Sequence, residues 1–81
     1  MKIRVKLFAT FVQYRPGERA GSPFEVNLPE GATLTDLIAS LGIPLAAVKV
    51  CFVNARAQDV DFILSDGDEV GIFPPVGGGY Y

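Results

Sequence analysis

The residues able to carry chemistry are few, and most fall in one closing run: Asp66-Gly67-Asp68-Glu69-Val70-Gly71-Ile72-Phe73-Pro74-Pro75-Val76-Gly77-Gly78-Gly79-Tyr80-Tyr81. Histidine is absent, which removes the commonest general base and the commonest zinc ligand. Cys51 is the single cysteine, so the chain forms no disulfide within itself, and no metal-ligand spacing is present. Within Val50-Cys51-Phe52-Val53 it reads as a small apolar strand residue, with a reactive thiol as the lesser alternative. The glycines are different. Glycine loses the most backbone entropy on ordering, so three in a row near a terminus do nothing for a packed core. They suit a bare, narrow backbone that must thread into a tight site. From Pro75 to Gly79 an extended chain reaches about 13–14 Å, enough to enter a neighbour's active site. The competing reading is a disordered end, a common fate of glycine-rich termini.

The elements that must position this arm follow from periodicity. Lys2-Ile3-Arg4-Val5-Lys6-Leu7 alternates strictly and predicts a half-buried strand with Ile3, Val5 and Leu7 inward. Phe24 to Leu28 repeats the pattern, with Phe24, Val26 and Leu28 inward. Between them Thr10 to Pro23 is a long connection with one helical turn around Phe11 to Tyr14. Thr33 starts a helix, with Asp36 in the capping-box position. Leu34, Leu37, Ile38 and Leu41 form its apolar stripe, and Gly42 and Pro44 stop it. A third strand covers Val50 to Asn54, and Arg56 to Leu64 is a minor strand followed by a turn. Asp66-Gly67-Asp68 is a tight turn, and Glu69 to Phe73 is the last strand. Pro74-Pro75 ends the sheet, because proline donates no ladder hydrogen bond. With Val70 and Ile72 inward, a period of two puts Phe73 outward, and Phe8 likewise. These rings either form an apolar partner patch beside the arm or tuck over the core rim.

Composition bounds the rest. Eighty-one residues, 49% of them hydrophobic, make one small domain rather than a disordered chain. A formal net charge of −2 gives no electrostatic footprint for nucleic acid. The last third is acidic, through Asp59, Asp61, Asp66, Asp68 and Glu69. That excess either steers docking onto a basic partner or is a solvated rim. No signal peptide or membrane span is visible, so a cytoplasmic protein without a membrane partner is expected.

The spacing from Asp66 to Gly79 resembles the C-terminus of the ubiquitin-like sulfur carriers. Within that family it is similar to the small subunit of molybdopterin synthase, which ends in Asp-Gly-Asp-Glu-Val, two apolar residues, Pro-Pro and a terminal Gly-Gly. Pattern alone gives an α+β class. The resemblance implies the β-grasp (ubiquitin-like) fold: a mixed four- to five-stranded sheet with one main helix on one face. It divides the chain into a domain over residues 1–73 and a flexible glycine-rich tail over 74–81.

It further implies a carrier rather than an enzyme, with no cofactor bound by the chain itself. A ubiquitin-activating-type adenylyltransferase would use ATP and magnesium to convert the terminal glycine carboxylate into an acyl-adenylate. A sulfur donor protein would turn that into a thiocarboxylate. The large synthase subunit would then receive the tail and build the dithiolene of molybdopterin. On this chain the reacting carbonyl would belong to Gly79. Pro74, Pro75, Val76, Gly77 and Gly78 would line the channel, Phe73 would dock the base of the tail, and Phe8 would extend the partner patch.

Tyr80-Tyr81 departs from the family pattern and locks the Gly79 carbonyl in a peptide bond. The expectation is removal by a tail-processing protease before activation. Thiamine-type sulfur carriers share the fold and the paired glycines. A ubiquitin-like protein modifier joined through Gly79, or an interaction module whose tail never reacts, are the alternatives outside that class.

Overall fold

The computed structural model describes residues 1–14 and 22–75. Five strands run in the order β1 (Lys2–Leu7), β2 (Phe24–Asn27), β3 (Val50–Val53), β4 (Arg56–Gln58) and β5 (Glu69–Phe73), with one α-helix, α1 (Leu34–Ser40), after β2. Short 3₁₀ turns occupy Ala9–Tyr14 and Leu45–Ala47. The first begins two residues before the predicted helical turn, and its Phe11 is buried.

The strands lie side by side as β2-β1-β5-β3-β4. β1 and β5 are parallel, with Val5 opposite Val70 and Leu7 opposite Ile72, and every other pair is antiparallel. This is the mixed β-grasp sheet that the resemblance implied. It places β5, which leads into the tail, at the centre.

Alternation decides the faces. Ile3, Val5, Leu7 and Ile72 are fully buried and Val70 nearly so, beneath Leu34, Leu37 and Ile38 of α1. Phe24 and Val26 face the same way but are only half-buried, since β2 is an edge strand. Leu28, just beyond the strand, is buried. Among the described residues no polar or charged side chain is buried.

The helix begins as its sequence dictates. The Thr33 hydroxyl accepts from the Asp36 amide, and the Asp36 carboxylate accepts from the Thr33 amide at 2.9 Å. The next amides, of Leu34 and Thr35, donate to the Phe62 and Val60 carbonyls. The segment after β4 therefore satisfies donors that a helix start leaves open. Gly42 ends the helix at φ +77°, a conformation that suits glycine.

The acidic run before β5 is structural. Asp66 accepts the Lys2 amide at 2.7 Å. Asp68 accepts the Ser65 amide at 2.8 Å and the Asn54 side-chain amide at 3.0 Å. Gly67 sits at φ +87° and donates to the Lys2 carbonyl. This turn lies at the start of β5, about 13 Å along the strand from Phe73 by the strand rise. Asp66 and Asp68 thus help to seat β5 between β1 and β3.

Candidate functional site

The site is built where β5 ends. Phe8 donates its amide to the Ile72 carbonyl at 3.3 Å, and Lys49 donates to the Phe73 carbonyl at 2.8 Å. The end of the strand is thus tied on both sides before Pro74-Pro75 halts the ladder. Pro74 is buried and Pro75 exposed. The predicted tail residues Val76, Gly77, Gly78 and Gly79, with Tyr80 and Tyr81, lie outside the described residues.

On the sheet face away from α1, Phe8 and Phe73 stack with centroids 4.3 Å apart and planes within 3°. Both rings are half-buried rather than folded over the core. A third ring joins them: Phe52 meets Phe73 edge to face at 5.6 Å. Sequence reasoning named Phe8 and Phe73 but missed Phe52. The signal was present, since Cys51 inward on β3 forces Phe52 outward.

Beneath the rings lies Gly71, paired with Lys6 on β1 and Phe52 on β3. A Cβ built there would meet Phe8 at 3.3 Å and Phe73 at 3.4 Å. The two rings can pack this closely over β5 because that position carries no side chain. The result is a shallow depression of about 210 Å³ with aromatic walls.

Charge on this face is ordered by register. Arg4 has Glu25 opposite on β2 and Glu69 opposite on β5, so its charge is flanked by carboxylates. Lys6, beside the depression, has Gly71 opposite on β5. Cys51 points to the other face and is buried, and burial pushes its thiol up to about 11. It is a packing residue, not a nucleophile poised for neutral pH. Among the described residues no group of three or more acidic, cysteine or histidine side chains is placed to hold a metal. No helix among them is long and apolar enough to cross a membrane.

The arrangement presents an aromatic surface at the end of the central strand. Residues 5–79 match the ThiS family, a span that runs from β1 through the paired glycines. The chain belongs to the ThiS family. It is accordingly a small ubiquitin-fold protein of the sulfur-carrier or modifier kind.

Similar solved structures agree with that placement. One is of a protein named as subunit 1 of molybdopterin converting factor from Pyrococcus furiosus: 34% identity, 93% of this chain and 98% of that one covered, TM-score 0.71. SAMP1 from Haloferax volcanii is 25% identical over 98% of this ThiS-family chain and 100% of its own, with a TM-score of 0.68. The complex of subunits 1 and 2 of molybdopterin-converting factor from Helicobacter pylori contains a chain with the same fold, at 23% identity and a TM-score of 0.62. It covers 98% of this chain and 100% of that one. No curated protein sequence matches the chain.

Proposed function

We propose that this protein is the sulfur-carrier small subunit of molybdopterin synthase, made as a precursor and loaded at Gly79 once Tyr80-Tyr81 is removed. The observation that carries this reading is the continuity between site and tail. The centre strand ends in a half-buried ring tied on both sides, and its next residues are Pro74-Pro75 and the glycine run. The 34% identity to molybdopterin converting factor subunit 1 over nearly the whole of both chains supports the pterin pathway.

The chemistry belongs to partners, because a carboxylate is a poor electrophile. In the adenylyltransferase, with ATP and magnesium, a Gly79 carboxylate oxygen would attack the α-phosphorus and pyrophosphate would leave. Hydrosulfide delivered by a donor protein would then attack the acyl carbon and expel AMP, leaving a thiocarboxylate. Glycine presents no side chain beside the attacked carbon. The large synthase subunit would take the tail, with Phe73, Phe8 and the neighbouring ring against its surface. A complex of subunits 1 and 2 is known for a protein of the same fold.

The test incubates full-length and Gly79-terminated protein with the organism's activating enzyme, ATP, magnesium and sulfide. Exchange of one oxygen for sulfur in the truncated form alone, read by mass spectrometry, is the expected result. Loading of neither form sinks the carrier reading. A second reading, a protein modifier joined through Gly79 to lysines, is favoured by the likeness to SAMP1. It predicts isopeptide-linked species of higher mass in cells.

A further inference from the structure

Two residues on the open face break the usual local rules, and they line the same depression. Gly71 lies in the middle of the central strand, where glycine costs order and contributes no packing. Its φ is not in the left-handed region, so the backbone does not demand glycine. Ala55 shows the reverse. The β3–β4 hairpin turns through Asn54 at φ +50° and Ala55 at φ +71°, where a two-residue loop strongly prefers Asn-Gly. Alanine in that conformation is strained, and the residue lines the depression. Glycine stands where a side chain would stabilise the strand, and a side chain stands where glycine would relax the turn.

We infer that Gly71 and Ala55 are specificity-determining residues that shape a receptor for one aliphatic side chain of the large synthase subunit, with a carboxylate beside it that reaches Lys6. This inference rests on the pterin reading above. The occupant follows from the walls. Phe8, Phe52 and Phe73 offer apolar faces around a space of about 210 Å³, which suits a branched aliphatic group. Lys6 borders that space together with Arg4 and Glu69; Arg4 faces Glu69 across the β1–β5 register, whereas Lys6 has Gly71 opposite it. An acidic residue on the partner supplies what the register omits. The position follows from continuity: Phe73 is both a wall of the depression and the last strand residue before the tail. Seating one partner side chain there would fix where the arm enters.

A Cβ at residue 71 meets the two rings at 3.3 and 3.4 Å, so they must move by a few tenths of an ångström. Both rings are only half-buried, so Gly71→Ala is expected to keep the fold while shifting the stack. Ala55→Gly relieves the strained turn and changes the lining of the depression.

The experiment measures binding of the organism's large synthase subunit to wild-type, Gly71→Ala, Gly71→Val, Ala55→Gly and Lys6→Glu proteins, with thermal unfolding of each. Gly71→Ala and Ala55→Gly are expected to melt no lower than wild type yet to bind about 3- to 10-fold more weakly, and Gly71→Val about 10- to 100-fold more weakly. Lys6→Glu is expected to slow association, with the difference shrinking at high salt. In proton spectra the Gly71 α-protons, lying close to the two rings, should show a ring-current shift in wild type. That shift should be lost when residue 8 is changed by Phe8→Leu. Equal binding by wild type, both Gly71 variants and Ala55→Gly overturns this inference and leaves the pterin reading standing. A wild-type protein that fails to bind the subunit overturns both.

Discussion

Cys51 shows how a single side chain's surroundings decide its chemistry. Its sulfur lies on the inner face of β3, opposite Gln58 on one side and Ile72 on the other, and is 1% exposed. Taking a thiolate out of water is costly, so burial raises the pKa from the ordinary 9.0 to about 11. The sign of the linkage follows. The unfolded chain loses this proton near pH 9.0, while the folded chain holds it to about 11. Over that window the folded state binds more protons than the unfolded one. The contribution is complete below pH 9.0 and disappears as pH rises through the folded value. Denaturant unfolding of wild type should therefore show stability declining from pH 9.0 towards 11, and Cys51→Ala should flatten that decline. At neutral pH a disulfide reagent should leave the native thiol untouched and modify it only on unfolding. Rapid labelling of the folded protein would overturn the packing assignment.

Elements with one strong signal were legible from sequence, and elements held by partners far along the chain were not. The β1 alternation and the Thr33–Asp36 capping box are local, so both could be read directly. The mixed sheet came with the resemblance, since pattern alone gives no pairing order. The role of the acidic turn depends on contacts sixty-four residues apart, Lys2 with Asp66, and no window of sequence carries that. Phe52 was overlooked because the reading of β3 centred on Cys51. The glycine at 71 gave no warning, since its meaning depends on Phe8 from another strand. Two predictions belong at this scale. Thr33→Ala should lower stability by about 1 kcal/mol in denaturant titration, the usual effect of losing an N-cap. Asp68→Ala should cost roughly 1–2 kcal/mol by freeing the Ser65 amide and the Asn54 side chain. It should leave sulfur loading of a Gly79-terminated form unchanged, because the turn lies at the far end of β5. Loss of loading with the fold intact would return the acidic run to the docking surface.

At the scale of the whole molecule, the proposed function puts folding and reacting in different parts of one short chain. The buried core runs from Ile3 to Ile72 and uses both outer elements of the sequence, β1 and β5, as its centre. Pro74 is the last residue that the described structure buries. A protein built this way should keep its stability when residues 76–81 are deleted, since every member of the core among the described residues is kept. Thermal and denaturant unfolding of the deleted form should match wild type within about 0.5 kcal/mol, the range of changes away from packed sites. The same deletion should abolish transfer of sulfur to the terminus and to the large subunit. It should also lower affinity for that subunit only in part, because the aromatic face around Phe73 remains. A deleted form that unfolds markedly earlier would show the tail to be part of the folded unit, and the division of labour between domain and arm would fail. If the deleted form instead lost all affinity, the aromatic face would not be a docking surface in its own right. Retained partial binding together with lost transfer is the combination that separates a surface that recognises from an arm that delivers.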